Sequence, residues 1–391
     1  MPLFYLGFRP FFLAAGLFAV IVMIGWGVTY SELVRLPLAL PAMFWHGHEM
    51  IYGYGLAVIA GFLLTSVRNW TGLQTLRGLS LAALAGLWLI ARVAFWSGYL
   101  LLAMGADLAF SLALLLSLCI PLIRARQTTQ VGLMSLLLLL LITNQLFYLL
   151  ITDLRPAWVP SHISLHQPLM TGLYTLMAFI LVMIGRLLPA FTRMATAGKV
   201  ELPDITRTSV AMTLLMTLFI FMAPRWVIFP QTTGLVEIIA LLLALLHGYR
   251  LWRWRHREIA TRSLLWVIYA AYLFIVVGFV AFSAQLFGLP GMVATHAFAV
   301  GGAGLATLGL MARVALGHTG RDVYHPPKTV TTMIGLLLAG TIVRVFAPLL
   351  AMHLYATAMV IAQFFWVSAF GLFLLVYTPI LVTARPDGKP G

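Results

Sequence analysis

This sequence predicts an all-α, polytopic membrane bundle of about twelve transmembrane helices, and three observations predict it. Of the 391 residues, 62% are hydrophobic and only 9% charged, against about 25% charged in soluble globular domains. The apolar residues fall in runs of roughly 20, the length that crosses the hydrocarbon core of a bilayer. Lys and Arg concentrate in alternate loops between those runs, the bias of a multi-pass protein in a cytoplasmic (inner) membrane.

The runs predict spans at 11–29, 44–66, 78–95, 100–123, 131–151 and 164–188, then at 209–228, 233–252, 263–287, 291–316, 329–349 and 352–382. The first run follows Arg9-Pro10 and has no small-residue cleavage site, so it reads as a retained helix rather than a signal. The longest polar stretches, 190–208 and 250–262, read as loops, which leaves one transmembrane domain over 1–391. No short-period repeat is visible. A cytoplasmic N-terminus puts Arg68, Arg77, Arg124, Arg126, Arg193, Lys199 and Arg207 in inner loops. Arg250, Arg253, Arg255, Arg257, Arg262, Arg321 and Lys328 continue the series, and the outer loops retain only Arg35, Arg155 and Arg225. Both termini are therefore expected inside. In this setting the net charge of +14 reflects loop cations facing a membrane, not a nucleic-acid surface. The single cysteine, Cys119, excludes a disulfide within the chain and a thiolate metal cluster. Eleven Trp suit the lipid–water boundary.

With this topology, each polar residue has an expected depth. His46 and His48 open the second span from outside, His162 and His166 open the sixth, His296 lies about a turn inside the tenth, and His353 begins the twelfth. Arg92, Arg344, Glu49 and Asp107 fall on the same side, and so do Asn144 and Gln145. Ionisable groups in a bilayer are costly unless paired or facing water, so they mark function by default. The plainer reading is that helix ends tolerate polarity; convergence on one face is what argues against it. His256, His318 and His325 read as solvated loop side chains, and His247 as structural.

Neutral imidazole suits haem iron, copper and zinc. On a helix, His46 and His48 point about 200° apart, so they serve two neighbours rather than chelating one ion. Gly47 between them leaves room for a flat macrocycle or simply for a packed helix. His162 and His166 share a face if helical, but Pro168 suggests that the helix begins near His166. Gly301, Gly302 and Gly304 after His296 permit close approach of a porphyrin or of another helix. Dispersed ligands without a His-Glu-x-x-His cluster favour haem over zinc. Arg92 and Arg344 are candidate partners for haem propionates, the alternative for both being a pair with Asp107 or Glu49. Tyr52 and Tyr54 carry protons or pack, and packing is the simpler role.

Several motifs carry a resemblance. Phe8-Arg9-Pro10-Phe11-Phe12 opens the chain, and Trp45-His46-Gly47-His48-Glu49-Met50 opens the second span. Gly61-Phe62-Leu63-Leu64-Thr65 leads into Asn69-Trp70-Thr71-Gly72; later come His162, His166, Gly185-Arg186, His296 and Arg313. In these the chain resembles the NnrS family of bacterial integral membrane proteins linked to nitric oxide, over nearly its whole length. Arg68 stands where the family commonly has proline. The resemblance implies a twelve-helix protein holding haem and copper that protects against nitrosative stress or serves under denitrifying conditions. Outer histidines would be its metal ligands. Haem-copper oxidases offer a looser analogy, with ligands on helices two, six and ten, but their paired-histidine copper motif is absent here.

Three functions follow as expectations. The first is reduction of nitric oxide to nitrous oxide at one or two haem b groups, copper being a further candidate. Electrons would come from membrane quinol or another donor, and protons would pass Glu49 and Asp107. The second is a non-catalytic haem protein that binds or senses nitric oxide. The third is a transporter of haem, copper or a small anion, for which inverted repeats and broken midplane helices are not evident.

Overall fold

The computed structural model describes residues 2–33, 38–152, 154–203, 206–225, 234–350 and 352–388. It is 81% helical, with no strand among the described residues. The long helices are α1 (Phe8–Tyr30), α2 (Ala42–Thr71), α3 (Leu79–Trp96), α4 (Leu100–Arg124), α5 (Val131–Ile151) and α6 (His166–Ala195). They continue as α7 (Thr206–Met222), α8 (Leu235–Arg253), α9 (Ser263–Ser283), α10 (Gly291–His318), α11 (Lys328–Leu350) and α12 (Tyr355–Val382). Eleven are long and apolar enough to cross a membrane. The shorter one is α7, and the expected extension of that span to 228 falls partly outside the described residues. The protein is an all-helical polytopic membrane bundle.

The helix ends refine the expected spans. Helix α6 continues through Pro189 to Ala195, so the loop expected from 190 begins later. Proline is tolerated in a membrane helix because neighbours can satisfy the carbonyl that it leaves unbonded. His318, expected in a solvated loop, is the last residue of α10 and is half-buried against Phe8, with ring centroids 5.7 Å apart.

Contacts divide the chain into two units. The first comprises Met1–Gly172, Met311–Asp322 and Phe370–Gly391; the second comprises Leu173–Leu310 and Val323–Ala369. In the first, α1 packs on α2, α3 on α4, and α4 on both α2 and α5. Arg9 is wholly buried there, and its Nη1 donates to the carbonyls of Leu381 and Thr383, each at 2.7 Å. A cation on carbonyls at a helix C-terminus satisfies acceptors that the helix cannot, and it complements the helix dipole. That gives the Arg9-Pro10 motif a structural role the sequence did not disclose. In the second unit, α9 packs on α8 and on the middle of α10, which also meets α11.

The helices α2 and α10 share a design. Each follows an extended proline, Pro41 (φ −55°, ψ 133°) or Pro290 (φ −61°, ψ 130°). Each begins α-helical, widens into a π-helical stretch (Glu49–Gly55 or Ala297–Gly304), and returns to α-helix. Aligned without gaps from the two prolines, Met43 matches Met292, Gly53 matches Gly302, Gly55 matches Gly304, and Leu56-Ala57 matches Leu305-Ala306. Both end at a Thr-Gly step with glycine left-handed, Gly72 at φ 69° and Gly320 at φ 71°. The two helices therefore share a backbone pattern and a few matched residues, although their histidines do not align. Protein surrounds both helices, with 89% of their most apolar window buried against 33 to 67% for the other spans. π-helical turns frequently mark functional sites, and here each carries a sequence-predicted histidine at its N-terminal side.

Candidate functional site

In the first unit, α2 leaves its proline as a regular helix, so His46 and His48 diverge as the helical angle requires. His46 turns to α1 and stacks on Trp26, with rings 4.8 Å apart and 20° from parallel. His48 turns inward and is fully buried. There it joins Glu49, Arg92 of α3, Asp107 of α4, and Asn144 and Tyr148 of α5.

Arg92 donates through one Nη to Glu49 and through the other to Asp107, the pairing weighed above against a propionate role. Trp96 Nε1 donates to the second Glu49 oxygen at 3.1 Å. Asp107 Oδ2 also accepts from the Tyr148 hydroxyl at 2.8 Å and from Asn144 Nδ2 at 3.2 Å. That last bond fixes the amide, so the Asn144 carbonyl oxygen faces His48 Nε2 at 2.8 Å and accepts its proton. His48 Nδ1 lies 3.0 Å from Glu49 Oε1 with one proton between them. Counted together, two carboxylates, one guanidinium and that additional proton sum to zero charge. A buried ionic group is tolerable only when its charge is balanced by such partners; Arg92 Nε and Asp107 Oδ1 are the buried atoms of this network left without a hydrogen bond.

The network decides a question of fit. Both nitrogens of His48 are engaged by side chains, so it presents no lone pair to a metal. Glu49 and Asp107 are buried inside protein, with both Glu49 oxygens and Asp107 Oδ2 accepting and Asp107 Oδ1 buried without a hydrogen-bond partner. Gly47 does not open a place for a macrocycle either, since a Cβ there would lie 2.8 Å from Leu169. Tyr52 packs: its hydroxyl donates to the Pro168 carbonyl at 2.8 Å. His162 is an exposed turn residue and His166 is the first residue of α6, also exposed, so the two do not share a helical face.

The second unit holds a different arrangement. His296 Nδ1 lies 2.7 Å from the Met292 carbonyl, one turn back on α10. Its Nε2 lies 2.9 Å from Arg344 Nη2 of α11. A carbonyl only accepts and a guanidinium only donates, so both partners require the same tautomer: Nδ1 protonated, Nε2 carrying the lone pair. The Nδ1–H to carbonyl bond is the one that orients a metal-ligating imidazole; a metal would bind at Nε2 in place of the Arg344 contact. Arg344 also donates to the Tyr355 hydroxyl at 3.0 Å and lies 5.2 Å over that ring. His353, two residues earlier, is exposed in a 3₁₀ turn. The glycines after His296 serve helix contact: a Cβ on Gly302 would lie 2.7 Å from Ile275, and one on Gly304 2.8 Å from Trp366.

Haem needs a single axial nitrogen with cations nearby for its propionates. Both ring nitrogens are engaged in His48 and in His296 alike; His296 would meet the requirement once Arg344 turned from its Nε2 to a propionate, whereas His48 is tied to the buried network on both sides. Copper or zinc needs several ligands, and no three His, Cys, Asp or Glu side chains are placed to hold an ion among the described residues. Of these contacts, Asn144 was visible in sequence as a polar residue in an apolar span. Tyr148, one turn further along the same face, was missed, as were Trp26, Trp96 and Tyr355; in an aromatic-rich membrane protein nothing sets them apart.

A family model described as NnrS protein matches residues 2–385. The chain belongs to the NnrS family. This NnrS protein is a membrane protein, and its family is one associated with the response to nitric oxide. No protein in the curated set matches it. The family's histidine-rich opening, Trp45-His46-Gly47-His48-Glu49, is where the neutral ionic network is anchored.

Proposed function

We propose that this NnrS protein is a haem-containing protein of a bacterial inner membrane that acts on nitric oxide and relieves nitrosative stress. His296 would hold the haem through Nε2, and Arg344 would pair with a propionate. One observation carries the assignment: the Met292 carbonyl fixes His296 in the tautomer whose lone pair is on Nε2, and the group now donating to that lone pair is Arg344, a cation suited to a propionate. Bound haem supplies a reducible iron with affinity for nitric oxide. Around it, the Met292 carbonyl orients the imidazole and raises its basicity, and Tyr355 steadies Arg344.

The reaction proposed is reductive coupling: two molecules of nitric oxide, two electrons and two protons give one nitrous oxide and one water. Membrane quinol, or another donor of that kind, supplies the electrons. The network of Glu49 and Asp107 favours a second reading, in which nitric oxide is bound without turnover, because those carboxylates are fully buried and tied to Arg92, Trp96 and Tyr148 rather than set along a water-lined route. A nitric oxide electrode on the purified, quinol-reduced protein separates the two. Consumption over many turnovers with nitrous oxide released is expected; a single stoichiometric uptake overturns catalysis and leaves binding.

A further inference from the structure

The end of α8 that leads into the most cation-rich loop carries side chains that neither arrangement above uses. His247 and Arg250 stand three residues apart on α8, on one face, and both are buried. His247 Nδ1 lies 2.7 Å from the Tyr272 hydroxyl of α9, and its ring lies parallel to Phe279 with centroids 5.9 Å apart. Arg250 donates through Nη2 to Ser209 of α7 at 2.8 Å and sits 5.4 Å from the Trp254 ring.

The charge of Arg250 has no counterpart among the described residues: no carboxylate lies within ion-pair distance of it. Its Nε is buried without a hydrogen-bond partner, as is His247 Nε2. Its Nη1 faces Gly185 of α6, 3.6 Å from where a Cβ would stand. A buried cation without an opposite charge is strongly unfavourable, so this guanidinium edge calls for an anion. The surroundings indicate its source. Arg186 follows Gly185, and Arg253, Arg255, Arg257 and Arg262 follow along the chain. Exposed Tyr249 and Trp252 stack at 6.2 Å, and Arg255 lies 4.3 Å over Trp252. Aromatic and cationic side chains in that combination mark the lipid–water boundary, and basic pockets between helices on that side bind phosphorylated headgroups.

We propose that the Arg250 guanidinium, at the gap left by Gly185, binds the phosphate of an anionic lipid from the cation-rich leaflet. Inorganic phosphate offers the same oxyanion; the aromatic girdle commits the source to lipid. The test uses the full-length protein in detergent, with native mass spectrometry and thermal unfolding. The probes are phosphatidylglycerol, phosphatidylcholine and inorganic phosphate. Phosphatidylglycerol is expected to remain bound and to raise the unfolding temperature above that in phosphatidylcholine. Loss of one charged hydrogen-bond donor in Arg250→Gln should weaken it on the order of tenfold. Gly185→Ala, whose added methyl meets only Nη1 at ordinary contact distance, should keep the fold and reduce retention. Equal binding of the two lipids overturns the proposal. So does unchanged binding in a folded Arg250→Gln protein, or in Gly185→Ala if the first variant does not fold. Inorganic phosphate matching phosphatidylglycerol and displacing it would reassign the site to a free anion.

Discussion

Arg92 is the residue on which the first unit's polar interior depends. It touches Glu49 and Asp107 together, and among the described residues no other Lys or Arg is paired with either carboxylate. Arg92→Ala would leave the buried cluster with one uncompensated negative charge, a loss of about 3–5 kcal/mol for breaking such a pair. Thermal unfolding followed by tryptophan fluorescence should show a large fall or no folded protein; a shift of only a degree or two would mean that the network is not as closed as described. Asn144→Leu is milder. It removes the acceptor for His48 Nε2 and a donor to Asp107, costing about 1–3 kcal/mol per buried group left unsatisfied. Sequence reasoning placed Glu49, Arg92, Asp107 and Asn144 at one depth because ionisable groups in apolar runs are conspicuous. It could not tell ligand from ion partner for His48 or Arg92, because that depends on which helices face each other, and apolar patterning all round a membrane helix erases its facing direction.

At the scale of elements, the two α–π–α helices set where the histidines project. Their glycines are contact points between helices, and this makes a definite expectation. Gly302→Ala puts a methyl 2.7 Å from Ile275 and 3.2 Å from Met177, so α9 or α10 must shift. Overpacking of this kind costs about 1–3 kcal/mol. If the shift displaces His296 from Arg344, haem retention falls with stability; a variant with normal unfolding temperature and normal haem content would remove the packing role. Helix existence was legible from run length alone, and ten expected spans end within a few residues of the observed helices. The π-helical widening was not legible, since no residue type specifies an i→i+5 turn. Nor was the backbone pattern that the two helices share. The reading of Gly301, Gly302 and Gly304 left porphyrin and helix open, and side-chain contacts decide for helix.

For the whole molecule, the cation bias of the loops remains a strong constraint. Reporter fusions after residue 33 and after residue 388 should report opposite sides of the membrane, with the C-terminal fusion cytoplasmic; a cytoplasmic report from both would refute the topology. Membership in the NnrS family concerns nearly the entire chain, yet the cofactor claim comes down to one imidazole. The most direct measurement is the haem content of protein purified with haem supplied, by pyridine haemochrome spectrum, in the wild type, His296→Ala and His48→Asn. This account predicts haem in the wild type, its loss in His296→Ala with the fold retained, and its retention in whatever fraction of His48→Asn folds. Haem bound at full stoichiometry in His296→Ala, or no haem in the wild type, would contradict it.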